Sequence, residues 1–584
     1  MCATCGCHEA PDSGTPLSKV EVFKGQSRGL RGTVAEELAE PTPVFSDGAV
    51  QVLKFHGIYQ QDDRDRRKEA RSRGLDKHHQ MMVRTRIPGG VASAAAYLAH
   101  DHIAEVWGNS TMRITTRQDF QLHAVLKSDL KRAIQAINAG LLTTLGGCGD
   151  QERNIMSCPS PHRDRLREDL APVLDGLAAA LAPVTHAYHE IWLDGELACS
   201  SEPDLEPDPL YGSQYLPRKF KTGLAPEGDN CIDVYANDLG LVARRGPGGG
   251  LAGFEILVGG GFGRTNHKPD TFPSVAQPLG FVLPDQVTKL ALAVVTVFRD
   301  QGNRSDRRHA RLKYLIHERG LDWFKARVEA LLDFPIQPST PLKWERIDDH
   351  LGWHEQGDGH FFLGIFVENG RIADTAEHRL RSALRKIVDG FQPGVRLTAQ
   401  QNLILTDLTA ESRDRIDAIL AAHGVLAADQ LPSALRTSMA CPAWPTCGLA
   451  VAESERVMPQ LIRRLSQLLT ELGLAQEQIS FRMTGCPNGC ARPYLGDVGF
   501  VGTTLGKYDV FLGGDFEGTR LNELYTTNVS LEDIPDLLRA PLEAFSHDRE
   551  ASEGFGQWCH RLGVDALRER FGAQPVPVAG AVPA

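Results

Sequence analysis

Two decapeptides in opposite halves of the chain, MRITTRQDFQ at 112–121 and VRLTAQQNLI at 395–404, follow one pattern. Each comes after a glycine turn and a helical stretch. Gly89-Gly90-Val91 leads into ASAAAYLAHDHIAEVWG, and Asn369-Gly370-Arg371 leads towards ADTAEHRLRSALRKIVDG. The glycine-to-arginine offset is 24 residues in the first copy (Gly89 to Arg113) and 26 in the second (Gly370 to Arg396). Residues 238–261 and 497–514 also match, each reading as apolar strand, glycine-rich turn, apolar strand and glycine pair, which is a β-hairpin signature. Self-similarity of this kind predicts duplicated supersecondary units. The expected class is therefore α+β, a pseudo-two-fold duplicated fold of mixed sheets with flanking helices. The predicted boundaries are 1–75 for an N-terminal extension, then 76–165, 166–345, 346–430 and 431–584.

The copies are chemically unequal. Arg117 in the first becomes Gln400 in the second, and Asp119 becomes Asn402. Loss of charge in one copy suggests a single site at the interface between halves, with the first half supplying cations. Helices are expected where Val457, Leu461, Leu465, Leu468 and Leu472 share one face, and from Gln286 to Leu332 around a polar turn at Asp300–Asp306. Residues 8–45, rich in Gly, Pro and Glu, are expected to pack poorly unless docked on a partner.

With 584 residues the chain exceeds one ordinary core. Its longest apolar stretch, Leu290 to Phe298, is far short of the roughly 20 residues of a bilayer span, and the N-terminus lacks the basic and apolar regions of a secretory signal. A cytoplasmic protein is expected, its 12 cysteines read as ligands or core thiols rather than disulfides. A net charge of −11 disfavours nucleic-acid and membrane-surface partners without excluding a local basic pocket.

Four cysteines carry the chemistry. Cys441 and Cys447 lie in MACPAWPTCGLA, and Cys486 and Cys490 in TGCPNGCARP, giving C-x5-C, 38 intervening residues, then C-x3-C. Structural zinc sites usually pair ligands two to four residues apart, so the x5 spacing suits them poorly, whereas four thiolates are the usual donors to an iron–sulfur cluster. Pro487 and Asn488-Gly489 favour a turn that folds two sulfurs towards one point. A helix starting near Ala450 would turn its positive end towards an anionic cluster. Four reduced thiols in a core remain the alternative.

MACPAWPTC and TGCPNGCARPYLGDVGFVG resemble the cluster loops of the siroheme/[4Fe–4S] sulfite and nitrite reductases. The likeness runs from FHGIYQQDDRD (55–65) to EGFGQW (553–558) and extends to the hemoprotein (beta) subunits of assimilatory NADPH-sulfite reductase. It makes 76–165 and 346–430 ferredoxin-like repeats, and 166–345 and 431–584 sulfite/nitrite reductase domains, the last carrying the cluster cysteines. It implies siroheme and a [4Fe–4S] cluster at the interface between halves, joined through the Cys490 thiolate.

Sulfite is a strongly hydrated dianion, and its reduction needs cations and proton donors. Strings of them lie in the first half: Arg84 and Arg86 in MMVRTRIPGG, Arg113 and Arg117 in RITTRQDFQLH, Arg153-Asn154, and Arg218-Lys219-Phe220-Lys221. Alternation along a strand lets Arg84 face the same way as Arg86, Lys219 as Lys221, and Arg113 as Thr115 and Arg117. Each pair alone also suits a solvated strand face. The resemblance gives Arg84, Arg153, Lys219 and Lys221 to the substrate anion, and Arg113, Thr115, Arg117, Gln121 and Arg218 to the macrocycle carboxylates, with Asn154 and Asn402 beside them. Arg stays charged and orients, whereas Lys among other cations can release a proton.

The expected activity is assimilatory reduction of sulfite to sulfide by a multi-electron route. Nitrite is the alternative substrate, and a non-catalytic iron–sulfur or zinc protein the alternative of another class. No dinucleotide or flavin fingerprint is present, so electrons are expected from a separate NADPH-dependent flavoprotein, towards which QQDDRD points, or from ferredoxin. His123 is expected to be structural, Cys158 a thiol near the pocket, and Cys148, Cys199, Cys231 and Cys559 core thiols. Cys2, Cys5, Cys7 and His8 read as an oxidation-prone tail, with metal binding as the alternative.

Overall fold

The computed structural model describes residues 16–184, 190–193, 196–200, 207–266, 268–347 and 349–573, the two short strands Glu190–Leu193 and Glu196–Ser200 by backbone alone. The tail cysteines Cys2, Cys5 and Cys7 and the Cys199 side chain lie outside the described residues.

The repeat in the sequence is a repeat in space, and the two copies exchange strands. One five-stranded sheet runs Ile58–Asp62, His79–Arg84, Phe120–Val125, Met112–Ile114, and then Arg371–Ile372 from the second copy. The other runs Gly352–Glu355, Phe361–Ile365, Leu403–Leu408, Gly394–Leu397, and then Val91–Ala92 from the first copy. Each swapped strand follows a left-handed glycine pressed against the other copy. A Cβ on Gly90 (φ +72°) would sit 2.4 Å from the Leu397 carbonyl oxygen, and one on Gly370 (φ +76°) 2.2 Å from that of Ile114. Only glycine fits such a backbone and such an approach. The helices that follow, Ala94–Val106 and Leu380–Phe391, meet through Arg381 Nε donating to Asp101 Oδ1 at 2.6 Å.

The other two five-stranded sheets match each other strand for strand. Met156–Ser157, Thr222–Pro226 and Leu239–Arg245 are parallel neighbours, extended antiparallel by Leu251–Val258 and Gln277–Val282. Met439–Ala440, Phe481–Thr484 and Val498–Thr504 repeat this, followed by Lys507–Leu512 and Glu523–Ser530. The hairpins expected at 238–261 and 497–514 are the central pairs of these sheets. One apolar core runs from Leu30 to Ile416 through the first half and the second ferredoxin-like sheet, and another fills 434–567.

Three expectations change. The chain between 16 and 45 does not pack loosely: helix Lys19–Gly25 docks on the first half, with Lys24 paired to Glu21 at 2.5 Å and donating to the Leu216 carbonyl at 2.7 Å. Strand Ile58–Asp62, within the stretch read as an extension, is the edge of the first sheet. No helix starts near Ala450. The chain passes through turns held by Val451 and Ala452 N–H on the Gly485 carbonyl, and the helix begins at Met458.

Candidate active site

The four cysteines converge without forming disulfides. Cys441 ends strand Met439–Ala440, and Cys486 and Cys490 sit in the loop after strand Phe481–Thr484, its parallel neighbour. Gly485 N–H donates to Cys441 Sγ at 3.4 Å, Asn488 Nδ2 to Cys486 Sγ at 3.5 Å, and the Leu449 and Ala450 N–H groups face Cys447. These peptide donors take the place of the helix dipole expected there. Burial and then the neighbouring Cys490 sulfur push the thiols of Cys441, Cys447 and Cys486 up, the last to about 12. Such thiols ionise only against a strongly positive partner. Among the described residues, one set of three or more Cys, His or carboxylate donors gathers within 4.8 Å, and it excludes these four.

Cys490 differs from the other three in being exposed. Cations of the first half lie around it. Its charge reaches Arg84 at the end of strand His79–Arg84 and Lys219 in the loop before strand Thr222–Pro226. Arg153 and Arg218 act on Lys219, and Lys219, Arg117 and Arg153 on Lys221. Arg84, Arg153, Arg218, Lys219 and Lys221 each keep part of their surface open although they lie deep in the molecule, as side chains lining a hollow do. Burial first, and then Arg153, Arg311 and Arg218, pull Lys219 down to about 7; burial and then Lys219 and Arg117 lower Lys221 as well. Five cations around one hollow, beside a thiol that faces it, fit a polyanionic macrocycle with its substrate anion.

The other predicted residues are placed as follows. With its amide oxygen turned to Arg84, Gln121 accepts from Arg84 Nε at 3.1 Å, and Asp119 Oδ1 lies 3.6 Å from the same nitrogen. Burial outweighs Arg84 and raises Asp119 to about 6. Thr115 Oγ1 donates to Asp119 at 2.6 Å. Arg117 donates to Asn237 Oδ1 and the Thr222 carbonyl and keeps a buried Nε with no partner. Asn154 donates to the Arg117 carbonyl at 2.8 Å, and its buried oxygen has no partner either. Arg113 is held by Glu455 Oε2 (3.0 Å) and the Ala440 carbonyl (2.8 Å), tying its strand to the residue before Cys441. Asn402 donates to Asp349 at 2.6 Å and accepts from Val367 N–H at 2.8 Å, so its amide is engaged within the second half. Arg86 leaves Arg84's company, because the strand ends at Arg84 and Arg86 caps the Ala178 carbonyl at 2.7 Å. His123 is buried with both ring nitrogens unpartnered, and burial holds it far below its usual range.

Several site residues carry no spacing signal. Tyr59 and Cys148 touch each other beside Arg84 and Arg153. Arg311 reaches the lysines from the segment before helix Leu312–Arg319, anchored on Asp238 at 2.7 Å. Thr116 Oγ1 donates to the Cys490 carbonyl at 2.9 Å. Arg64 and Asp65 of QQDDRD lie against the Cys441–Cys447 loop, Asp65 accepting from Trp444 Nε1 at 2.7 Å.

Family models match on both duplicated units. The nitrite and sulphite reductase 4Fe-4S domain covers 176–336 and 432–576, and the nitrite/sulfite reductase ferredoxin-like half domain covers 73–140 and 354–423. The chain belongs to the nitrite and sulfite reductase family. Within that family it is 43% identical to the sulfite reductase [NADPH] hemoprotein beta-component of Paenibacillus sp. (strain JDR-2), over 95% of this chain and 97% of that protein. It is 44% identical to the sulfite reductase [ferredoxin] of Synechococcus elongatus, over 95% and 90%. The fold is that of Mycobacterium tuberculosis NirA, with a TM-score of 0.76 at 24% identity, covering 96% of this chain and all of that one.

Proposed function

We propose that this chain is the catalytic hemoprotein of an assimilatory sulfite reductase, taking sulfite to sulfide at a siroheme coupled to a [4Fe–4S] cluster. The observation that carries this reading is the position of Cys490, a cluster-loop thiol facing the hollow where Arg84 and Lys219 of the other half converge.

Cys441, Cys447, Cys486 and Cys490 would hold the cluster, with Cys490 the one of the four that is open towards the hollow. Arg117, Arg218 and the Gln121 amide would meet siroheme carboxylates, Arg117 through its unpartnered Nε, while Asn154, whose amide nitrogen is taken by the Arg117 and Gln118 carbonyls, would hold that turn in place. When bound, the two groups supply the electrons and the iron that takes the sulfur atom. Arg84 and Arg153 neutralise and orient the sulfite oxygens without giving up protons. Lys219, held near 7, releases a proton to a departing oxygen, and the cations around it make reprotonation unfavourable until the next anion enters. Arg113, Thr115 and Asn402 hold the frame.

An NADPH-dependent flavoprotein is the proposed donor and the cytoplasm the proposed compartment, since the cluster thiols must stay reduced. Among the described residues no helix is long and apolar enough to cross a membrane. The test is an anaerobic assay of purified protein with reduced methyl viologen against sulfite and nitrite, then with a flavoprotein or ferredoxin donor. An isobacteriochlorin absorption spectrum, iron and acid-labile sulfide for one cluster, and preference for sulfite are expected. Zinc in the four-cysteine site without iron overturns the reading, as does preference for nitrite.

A further inference from the structure

A second cluster of metal-binding side chains lies outside the proposed catalytic hollow. Cys158, Asp229, Cys231 and His350 bring one donor atom each to within 4.8 Å of one another, and all but Cys158 are fully buried. They come from three places: the end of strand Met156–Ser157, the end of strand Gly228–Asp229 and its following turn, and the segment that opens the second half. Cys158 Sγ donates to Asp229 Oδ2 at 3.1 Å, and His350 Nε2 lies 3.5 Å from the same oxygen with no hydrogen-bond partner. His350 holds a left-handed backbone at φ +53°, and its carbonyl is pressed where a Cβ on Gly364 would come within 2.0 Å. A non-glycine residue is kept in that region when the surroundings dictate its orientation.

Bonds of about 2.0–2.3 Å to nitrogen, oxygen and sulfur place the donors of a tetrahedral zinc ion about 3.3–3.8 Å apart. The His350–Asp229 contact at 3.5 Å already has that length, the Cys158–Asp229 contact at 3.1 Å is slightly shorter, and the widest pairs need a contraction of about 1 Å. Two thiolates and a carboxylate would leave one excess negative charge around a divalent ion, and Arg167 Nη2, 3.2 Å from Asp229 Oδ2, offsets it. Cys231 N–H on Asp229 Oδ1 at 3.1 Å fixes the carboxylate.

We propose that Cys158, Asp229, Cys231 and His350 form a four-coordinate zinc site that clamps the first half of the chain to the start of the second. Ligation through Nε2 puts the imidazole proton on Nδ1, so Arg346, whose Nη1 lies 3.4 Å from that nitrogen, turns away on binding. The site is structural: all four positions belong to protein and none is left for substrate.

The test uses holoenzyme with its full iron content, carrying Cys2, Cys5 and Cys7 changed to Ser so that the tail contributes nothing. Elemental analysis should find one zinc per chain, and zinc-edge X-ray absorption two sulfur and two nitrogen or oxygen neighbours. Cys231→Ser and His350→Ala should lose the zinc and keep iron and acid-labile sulfide. Absence of zinc from the parent protein overturns the proposal, as does a four-sulfur shell, or a Cys158–Cys231 disulfide found by counting thiols in the intact mass. The absorption measurement on the parent decides the matter even where a variant fails to fold. Neither result depends on sulfite turnover.

Discussion

Arg64 donates to the Cys447 carbonyl oxygen at 3.1 Å while its guanidinium lies 3.6 Å over the Trp444 ring. A second donor contact, to the Ala450 carbonyl at 2.7 Å, makes the side chain a brace across both sides of Cys447. Residues nearly four hundred positions away in sequence thus shape one of the cluster loops, and the acidic-basic run at 60–65 has a structural use whatever donor the enzyme takes.

Removing that brace should loosen the loop before it unfolds the protein. Arg64→Ala loses two hydrogen bonds from a charged donor, each worth about 1.5–3 kcal/mol, along with the stacked contact. Iron and acid-labile sulfide should fall together on exposure to air, faster than in the parent, while far-ultraviolet circular dichroism holds. Arg64→Lys should recover only part of the loss, because an ammonium cannot serve two carbonyls and a ring in one plane.

The duplication and the four cysteines were legible in the sequence because they are local patterns. The strand exchange was not, since Val91–Ala92 and Arg371–Ile372 look like turn residues until Leu397 and Ile114 are seen behind their glycines. Arg86 was misplaced by strand alternation, which stops applying once the strand ends at Arg84. Cys231 was read as a core thiol and is indeed buried, but its companions Cys158 and His350 lie 73 and 119 residues away. Lys24 and Glu21 show why composition misjudged the N-terminal stretch: a buried ion pair docks a segment with few apolar side chains.

Gly370→Ala tests the exchange. The new Cβ meets the Ile114 carbonyl at a positive φ, so the swapped strand must move, and a loss of several kcal/mol is expected, beyond the common range of about 0.5–3 kcal/mol. Gly390, in helix Leu380–Phe391 with open space around its Cβ, is the control. Gly390→Ala should stabilise by about 0.5–1 kcal/mol. Urea midpoints compare the two, and equal midpoints for parent and Gly370→Ala would remove the steric argument.

Asp233 joins the halves by accepting from Arg482 at 2.6 Å and Arg492 at 2.5 Å, all three buried. Asp233→Asn leaves two guanidinium groups without their counter-charge and should cost about 3–5 kcal/mol. Despite burial, the two arginines hold the Asp233 carboxyl below its usual range. Its contribution is therefore present above the unfolded value of about 3.9 and disappears as pH falls through the folded one. Parent and Asp233→Asn should differ most near neutrality and converge on acidification, as read from thermal midpoints measured across pH.

Lys219 gives the sharpest catalytic prediction, because its depressed pKa arises from burial first and then from its place among other cations. The useful form is the ammonium, so the proton-donating fraction shrinks as pH rises past the folded pKa, and turnover should decline on the alkaline side. That pKa is about 7 with protein charges alone; a bound sulfite dianion favours the ammonium and moves the limb upward. Lys219→Met removes the donor while keeping most of the bulk. It should lower kcat by about 100–10,000-fold, the usual share of general acid catalysis, and flatten the alkaline limb. KM for sulfite should change far less, since Arg84, Arg153 and Lys221 still hold the anion. A variant with unchanged kcat and the parent's pH profile would remove Lys219 from proton delivery and leave Lys221 as the group to test.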